Sequence, residues 1–483
     1  MNATDIFKFL HCPHWPYYDR YATPEETSMR RPLTDAERRR QEDGVAHEGD
    51  VVRSLAALRT VENAPITGNV QQDAEATLAL MRKGVDLIYQ ATLVAGNRDG
   101  RPDLVEKREG ASNLGAWHYV PIDVKSTHEL EKYQKLQLAF YSDLLEKTQG
   151  TYPEDAAIVN VRAERISFDP AAMREELEIV CADIEKSLAG EKPDPVLRKD
   201  CFETGPWGAL CQHDAEAAND IALLYNVNVP KLRALRKLGV RTVQDAAGID
   251  PATLANAEKG LTFHALDTIR RQARSLAAKE VIIRKPVELP VAPLEIHFDI
   301  ESDPPNDLDY LYGVLVRDPV EGDAYTAFVS PDLENEGEMW FKFLAWVEQL
   351  PLEYVVYHFS PYEKTRLAIL EARYGGSHYL DLFRSNMVDL KEFVSHSATF
   401  PLYFYSLKSV AKFLGFSWRE GVKTGGESVD KFEQYLATGD RAILDSIIRY
   451  NEDDVRATAH VKDWLEEYAR EITSYEQPYP WEK

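Results

Sequence analysis

Acidic residues at two places in the sequence stand at the predicted ends of apolar strands. At the first place, Asp103 begins a short apolar segment, and Asp123 and Lys125 end a later one. Because side chains alternate along a strand, Asp123 and Lys125 project from the same face. Carboxylates suit Mg²⁺ or Mn²⁺, which activates a bound water, and a lysine neutralises charge in a phosphoryl transition state. These three residues therefore predict metal-assisted phosphodiester hydrolysis.

The second place is the C-terminal part of the chain. Asp299 and Glu301 share one face of a predicted strand, and Glu363 follows another apolar strand and a short turn. Tyr450 and Asp454 are four positions apart and so share one face of a predicted helix. Four carboxylates can bind two metal ions about 3.5–4 Å apart, one at an attacking water and one at a leaving oxygen. The alternative is that each acid is an ordinary surface charge in a chain with 80 acidic residues.

Composition limits the kinds of protein that can carry these residues. The chain has 483 residues, 44% of them hydrophobic and 28% charged, with a formal net charge of −24. This length corresponds to about three domains, and the hydrophobic content argues against a disordered chain. Four cysteines do not suggest a secreted disulfide framework, and neither a signal-peptide pattern nor a long apolar run is present. We therefore expect a cytoplasmic protein with no membrane partner.

The order of helical and strand patterns predicts an α/β, multidomain protein. Residues 1–200 and 286–483 alternate between the two patterns and predict one α/β domain each. Residues 201–285 are mainly helical and form a predicted connector. Within it, residues 232–243 resemble a helix-hairpin-helix, and a plain helical spacer is the alternative. Three prolines in residues 284–293 predict a linker before the second domain.

Four motifs in the N-terminal part resemble, in order, those of the RecB-like branch of the PD-(D/E)xK nuclease superfamily. They are Gly44…His47, Gly100-Arg-Pro-Asp103, Asp123-Val-Lys125 and Gln137…Tyr141. The resemblance implies a restriction-endonuclease-like domain in which His47, Asp103 and Asp123 bind a metal ion. It implies catalytic roles for Lys125, Gln137 and Tyr141, the last two on one helix face. The alternatives are an ordinary surface histidine at His47 and a solvated strand end at Asp123 and Lys125.

The C-terminal acids resemble the three motifs of the DEDDy exonucleases, and the region is similar to a YprB-type RNase H-like domain. The matching segments are Asp299-Ile-Glu301, His358…Glu363 and Tyr450…Asp454, with a glutamate where the second motif usually has an aspartate. The resemblance implies a 3′→5′ exonuclease with Asp299, Glu301, Glu363 and Asp454 as metal ligands. Tyr450 is then expected to position the attacking water. The longer Glu363 side chain is expected to shift one ion and lower the rate.

Some RecB-like nucleases carry an iron–sulfur cluster held by one cysteine before the catalytic motifs and three after them. This chain has Cys12 before the motifs and Cys181, Cys201 and Cys211 after them. The resemblance implies a 4Fe–4S cluster on Cys12, Cys201 and Cys211, with His213 substituting for a missing thiolate. The closely spaced cysteine pair usual in that family is absent. Cys181 lies in an apolar helical pattern that predicts a core cysteine, so a chain without a cluster is the alternative.

Basic residues before the His47 motif and beside the linker predict contacts to nucleic acid. The predicted contact residues are Arg38, Arg39, Arg40, Arg270 and Arg271, with solvated helix faces as the alternative. Together the resemblances predict a metal-dependent nuclease for DNA, acting on single strands or ends, in repair or defence. A ribonuclease, and a nucleic-acid-binding scaffold with one active site, remain alternatives. No Walker A motif occurs, so we expect any helicase to be a separate protein.

Overall fold

The structure is a computed structural model that describes residues 1–127, 129–225 and 227–482. It divides into two compact units, Met1–Ala217 and Ala218–Lys483. Both units combine helices with mixed sheets, and the α/β multidomain class predicted from the sequence is confirmed. None of the described helices is both long enough and apolar enough to span a bilayer.

The first unit begins with helices and places its longest strands in the middle of the segment. Its helices are α1 (Ala3–His11), α2 (Trp15–Tyr21), α3 (Pro24–Ser28), α4 (Asp35–Ala56), α5 (Val70–Lys83), α6 (Lys132–Gln149), α7 (Arg174–Leu188), α8 (Lys199–Thr204) and α9 (Gly208–Ala217), with a 3₁₀ turn at Pro170–Met173. Its strands are β1 (Val61–Asn63), β2 (Leu87–Tyr89), β3 (Leu93–Ala95), β4 (Arg98–Gly100), β5 (Leu104–Ser112), β6 (Gly115–Val124), β7 (Ala156–Val159) and β8 (Arg165–Phe168).

A six-stranded sheet in the order β1-β2-β5-β6-β7-β8 forms the centre of the first unit. Strands β5 and β6 pair antiparallel with Leu104 opposite Ile122. The start of β5 therefore lies beside the end of β6, which brings Asp103 next to Asp123. One face of the sheet packs against α6 through residues such as Val105 and Tyr119, and the other carries the smaller cluster around Ile122.

The second unit also begins with helices and continues into a second sheet. Its helices are α10 (Val229–Lys237), α11 (Val243–Gly248), α12 (Pro251–Leu254), α13 (Phe263–Ala278), α14 (Glu336–Val347), α15 (Tyr362–Tyr374), α16 (His378–Ser385), α17 (Leu390–Ser397), α18 (Leu407–Phe413), α19 (Gly425–Thr438) and α20 (Arg441–Tyr468), with 3₁₀ turns at Ile221–Leu223, Pro304–Asn306 and Pro480–Glu482. Its strands are β9 (Val281–Ile283), β10 (Leu294–Asp303), β11 (Leu308–Asp318), β12 (Gly322–Val329), β13 (Tyr354–His358), β14 (Met387–Asp389), β15 (Ala398–Thr399) and β16 (Thr473–Tyr475).

The main sheet of the second unit has five strands in the order β12-β11-β10-β13-β14. Strand β11 runs antiparallel to β10 and β12, whereas β10, β13 and β14 are mutually parallel. Along β10, Ile296, Phe298 and Ile300 pack into an aromatic core with α14 and α16. Because side chains alternate, Asp299 and Glu301 project from the opposite face, where α20 packs.

The helical segment that opens the second unit packs onto the same unit. In α13, the Gln272 side chain donates hydrogen bonds to the carbonyl oxygens of Phe400 and Leu402, and Tyr225 stacks on Tyr405 with ring centroids 4.1 Å apart. The predicted connector over 201–285 is therefore divided, with α8 and α9 in the first unit and α10–α13 in the second. A helix-hairpin-helix role for α10 and α11 stays a prediction.

Candidate active sites

Three carboxylates of the second unit converge on one point. Oxygen atoms of Asp299, Glu301 and Asp454 all lie within 4.8 Å of one another. Asp299 and Glu301 come from the central strand β10, and Asp454 comes from α20, which crosses that face of the sheet. Strand and helix are each held by packed cores, so the acids stay together although their like charges repel.

Close packing between α20 and β11 sets the position of Asp299. The side-chain amide of Asn451 donates to Asp299 Oδ2 at 2.7 Å, and the Tyr325 hydroxyl donates to Asn451 Oδ1 at 3.0 Å. A Cβ atom on Gly313, which pairs with Asp299, would lie 1.5 Å from Asn451 Oδ1. Only glycine therefore lets Asn451 reach Asp299. The sequence motif contains Asn451, but its role as a support for Asp299 was not predicted.

Burial and mutual repulsion hold these acids in a state that favours protons or cations. Burial, followed by the charge of Asp454, raises the pKa of Asp299 well above its usual value. The same two causes raise the pKa of Glu301 to about 8. Burial also raises the pKa of Asp454, while the nearby Lys408 ammonium opposes that shift. A divalent cation would remove the repulsion and is the natural partner for this set of oxygen donors.

Tyr450 stands one helical turn before Asp454 and is held by a lysine. The Lys408 ammonium donates a hydrogen bond to the Tyr450 hydroxyl oxygen at 2.5 Å and lies 4.3 Å from the ring centroid. Trp418 Nε1 donates to Asp454 Oδ1 at 2.6 Å. Burial, with Asp454 as the second cause, raises the pKa of Tyr450, so this hydroxyl stays protonated. Lys408 and Trp418 were missed at the sequence level because they lie in segments between the motifs.

Glu363, the predicted fourth ligand, is buried but does not join the three-carboxylate group. Its Oε2 accepts hydrogen bonds from His358 Nδ1 at 3.2 Å and from the Ser360 hydroxyl at 3.4 Å. It still lies close enough for its charge to contribute to the raised pKa of Asp299. The structure therefore places Glu363 beside the site, turned toward His358.

In the first unit, Asp103, Asp123 and Lys125 come together at the junction of β5 and β6. Lys125 Nζ lies 3.0 Å from Asp123 Oδ2 and 3.9 Å from Asp103 Oδ2. Backbone amides lock the acids in place, because Asp103 N–H donates to Asp123 Oδ1 at 3.2 Å and Val124 N–H donates to Asp103 Oδ2 at 2.7 Å. The Lys125 side chain is 26% exposed, so it is a half-buried ion-pair partner rather than a solvated strand end.

Raised pKa values have opposite effects on the charges of Asp103 and Lys125. Burial, followed by the charge of Asp123, raises the pKa of Asp103 to about 8, although Lys125 opposes the shift. Burial alone would lower the pKa of Lys125, but the charges of Asp123 and Asp103 raise this pKa by a larger amount. The net shift is upward, so the ammonium stays charged. The site thus holds one firmly charged cation beside an aspartate that retains a proton at neutral pH.

His47 is not brought into a three-ligand group by the described residues. Its Nε2 is buried and lacks a hydrogen-bond partner among those residues. The next residue in α4, Glu48, accepts a hydrogen bond from the Gln90 side chain at 2.5 Å, and its charge contributes to the raised pKa of Asp103. Glu48 is therefore the acidic neighbour that the motif interpretation missed, although it directly follows His47.

Gln137 and Tyr141 lie on α6 as predicted for a motif pair, but they contact different groups. Gln137 donates to the carbonyl oxygen of Ala3 at 3.1 Å, and the Tyr141 hydroxyl donates to the carbonyl oxygen of Arg101 at 3.3 Å. Burial, with Asp123 and Asp103 as lesser causes, raises the pKa of Tyr141. A Cβ on Gly100 would lie 2.9 Å from the Tyr141 ring, which explains the glycine of that motif.

The predicted cluster cysteines Cys12, Cys201 and Cys211 are buried together in the first unit. Cys181 lies apart from them in α7, inside the main core, as its apolar pattern indicates. Hydrogen bonds from Cys201 and Cys211, helped by the nearby His14 ring, lower the pKa of the Cys12 thiol well below its usual value. His213, the predicted substitute ligand, is 63% exposed and faces Asp214 at 3.4 Å.

The predicted nucleic-acid contacts differ between the two units. Arg38, Arg39 and Arg40 are exposed on α4, where Arg38 forms an ion pair of 3.4 Å with Asp35. Arg270 and Arg271 on α13 both bind the carboxylate of Asp267, and burial lowers the pKa of Arg271. The structure thus leaves the first group near solvent and uses the second largely in contacts within the protein.

Comparisons with known proteins address the second unit. A family profile described as the RNase H superfamily matches residues 296–466. No match is found among curated proteins. Among solved structures, a family B DNA polymerase from the hyperthermophilic archaeon Pyrobaculum calidifontis is similar, at 19% identity and a TM-score of 0.28, over 37% of this chain and 25% of that chain. This chain therefore spans about a quarter of that polymerase's length. The profile match and the strand order β12-β11-β10-β13-β14 make the C-terminal part of the chain an RNase H-like domain.

Proposed function

We propose that the RNase H-like domain is a metal-dependent 3′→5′ exonuclease acting on DNA, at single strands or ends. The observation that carries this proposal is the convergence of Asp299, Glu301 and Asp454 within 4.8 Å, one helical turn from Tyr450. The direction of digestion and the preference for DNA follow from the DEDDy resemblance. RNA is the alternative substrate that the same chemistry allows.

The donor set fits Mg²⁺ or Mn²⁺, since it consists of carboxylate oxygens whose repulsion is only partly neutralised by Lys408. Such ions, when bound, supply an activated water and stabilise the leaving oxygen of the cleaved phosphodiester. Asp299, Glu301 and Asp454 would hold them. Glu363 would join only by turning its carboxylate from His358, which fits the lower rate expected for glutamate at this position.

The remaining side chains position the reacting groups. Tyr450 keeps its proton, so its hydroxyl can donate to a carboxylate or a water beside the site. Lys408 fixes that hydroxyl by occupying its oxygen lone pair, and Trp418 fixes the carboxylate of Asp454. Asn451 prevents Asp299 from rotating away from the group. Each contact reduces the motion that would otherwise misplace an attacking water.

We propose a second nuclease site in the first unit, at Asp103, Asp123 and Lys125. Its support is the pair of carboxylates held by backbone amides around one half-buried ammonium, on the central strands of a mixed sheet. The site offers fewer carboxylates, and one bound divalent ion would be shared by Asp103 and Asp123, with Glu48 nearby. Lys125 would neutralise the phosphoryl charge that develops during hydrolysis.

The test is a cleavage assay on single-stranded and duplex DNA and on RNA, labelled at either the 3′ or the 5′ end, with Mg²⁺, Mn²⁺ or chelator. Asp299→Asn should lower the rate of stepwise shortening from the 3′ end by about 10³-fold, since it removes charge from the ligand group without changing its volume. Glu334→Gln, an exposed acid of the same unit, is the matched control. Shortening that persists at the wild-type rate in Asp299→Asn would contradict the proposal for this domain.

The first site is tested by Lys125→Ala, with the exposed Lys147→Ala as its control. We expect the activity that remains in Asp299→Asn to be lost when Lys125→Ala is added. If Asp299→Asn alone removes all cleavage, the first unit is a binding or scaffold module with a retired site. A separate partner helicase, a role in repair or defence and a cytoplasmic location belong to the same proposal and follow from the sequence resemblances and composition.

A further inference from the structure

A compact group of buried thiols lies outside both carboxylate sites. Cys12 follows α1, Cys201 lies in α8 and Cys211 lies in α9, so residues from the two ends of the first unit meet here. The three sulfur atoms all lie within 4.8 Å of one another, and Cys12 Sγ is 3.5 Å from Cys211 Sγ. Three cysteines this close without a disulfide are a common arrangement for a thiophilic metal ion.

The spacing of the sulfur atoms distinguishes one ion from a cluster. Around a tetrahedral Zn²⁺ with Zn–S bonds of about 2.3 Å, neighbouring sulfurs stand about 3.8 Å apart. The observed 3.5 Å between Cys12 and Cys211 is close to that separation. In a 4Fe–4S cluster each cysteine binds a different iron, so the sulfurs must stand farther apart. The three sulfur atoms, all within 4.8 Å of one another, therefore stand closer together than a cluster requires.

His14 supplies a fourth donor beside Cys12. It is 2% exposed, and its Nε2 lies 2.8 Å from the carbonyl oxygen of Pro193. A carbonyl oxygen can only accept, so Nε2 carries the proton and Nδ1 has a free lone pair. Nδ1 is buried and has no hydrogen-bond partner among the described residues. Metal-binding histidines usually donate a hydrogen bond from the N–H of one ring nitrogen to a backbone carbonyl, as His14 does here, and this fixes the orientation of the ring.

The fourth cysteine does not serve this purpose. Cys181 packs in the main core with Leu177 and Ile184, away from the three-thiol group. Neither a four-cysteine set nor the predicted set with His213 is therefore assembled, since Cys181 lies in the main core and His213 is 63% exposed. His14 is the further donor that the structure places next to Cys12.

We propose that Cys12, His14, Cys201 and Cys211 form a Cys₃His site for one tetrahedral divalent ion, Zn²⁺, that ties the start of the first unit to its end. The Nδ1 atom of His14 is not within 4.8 Å of all three sulfurs. The His14 side chain therefore moves toward the ion when the ion binds. Tyr18 and Trp207 enclose the thiols, and their polar atoms are engaged by Asp214 and Asp19, respectively. The site is closed by protein, so its role is to stabilise the unit.

The test is metal analysis of the full chain, purified without chelator and then reconstituted with Zn²⁺ or with Co²⁺ alone. We expect about one zinc per chain, released in proportion to a thiol-modifying reagent. The cobalt form should show thiolate-to-metal charge transfer and the intense visible bands of tetrahedral coordination. Cys211→Ser and His14→Ala should each weaken binding at least tenfold, whereas His14→Cys should restore it and Cys181→Ser should leave it unchanged.

Thermal unfolding of the wild-type chain with and without Zn²⁺ gives a second readout that needs no variant. Zinc should raise the unfolding temperature of the first unit, and Cys181→Ser should keep this response. Iron and inorganic sulfide bound at four each per chain would overturn the proposal, whether or not Cys181→Ser loses them. So would three freely titrating thiols with no metal bound, or a disulfide between Cys12 and Cys211. Nuclease activity is not part of this test, so its outcome is separate from that of the proposed function.

Discussion

The two carboxylate sites of this chain differ in how far the protein itself balances their negative charge. In the first unit, Lys125 sits directly against Asp123, so part of the negative charge is balanced by the protein itself. In the second unit, three carboxylates meet, and the Lys408 ammonium beside them binds the Tyr450 hydroxyl. The second site therefore has more negative charge available for metal ions. Under the proposed function we therefore expect one ion in the first site and two in the second.

The largest expected effect tests whether the sites work separately. Asp299→Asn and Asp123→Asn should each lower only the activity of their own unit, by about 10³-fold, because a missing ligand removes several kcal/mol of transition-state stabilisation. The measurement is the rate of cleavage of 3′-labelled single-stranded DNA by each single variant and by the double variant. Partial activity in both single variants and none in the double variant fits two sites. A double variant no worse than either single variant would show that the sites act as one.

The next effect concerns the lysine of the second site. Lys408→Met should lower kcat for 3′ shortening by roughly 10–100-fold with little change in KM, since Lys408 positions Tyr450 rather than the substrate. Lys412→Met, an exposed lysine on the same helix, is the control. Once Tyr450→Phe is present, Lys408→Met should cost little more. If the two losses simply add, Lys408 acts on the carboxylates instead of through the tyrosine.

The sites should also respond to pH when metal is absent. Asp103 and Glu301 each have a pKa of about 8 in the folded protein, above their unfolded values, so the folded state holds protons that the unfolded state has released. Stability should therefore fall as pH rises toward 8, by about 1.4 kcal/mol per pH unit for each acid, and level off above it. That slope corresponds to roughly 3–5 °C in unfolding temperature per pH unit, measured with chelator.

Mg²⁺ should reverse this trend, because it must displace those protons and binds more tightly as pH rises toward 8. Asp103→Asn should remove the pH response that Asp103 gives the first unit. Glu301→Gln should reduce the response of the second unit without removing it, because the pKa of Asp299 is also raised. The relevant range is pH 6 to pH 8, about two units below the raised pKa. An unfolding temperature that stays constant over this range in the presence of chelator would show that neither acid is protonated there.

The smallest expected effect compares the two groups of arginines. Arg38, Arg39 and Arg40 are exposed, so replacing all three with alanine should lower the salt dependence of single-stranded DNA binding. The log–log slope should fall by about 0.7 for each phosphate that an arginine no longer neutralises. Replacing both Arg270 and Arg271 with alanine should change the slope little, because both arginines already bind Asp267. Equal changes for both groups, measured by binding titrations at several salt concentrations, would remove this distinction between the units.

Local patterns carry much of the information about each site but little about its surroundings. Alternation along β10 is enough to put Asp299 and Glu301 on one face, and helical spacing is enough to align Tyr450 with Asp454. Neither pattern indicates that Gly313 must lack a side chain so that Asn451 can reach Asp299. Support of this kind comes from a neighbouring strand, and no short sequence window contains both partners.

The sequence by itself determined the α/β class, the strands that carry the acids, and the residues that could form the two sites. It could not determine that Glu363 turns toward His358, that the charge of Glu48 contributes to the raised pKa of Asp103, or that His14 stands beside Cys12. Each of these depends on a side-chain direction or on contacts between elements distant in the chain. Such contacts are decided by how helices and strands pack, because packing selects one rotamer and one neighbour from several that local sequence permits equally.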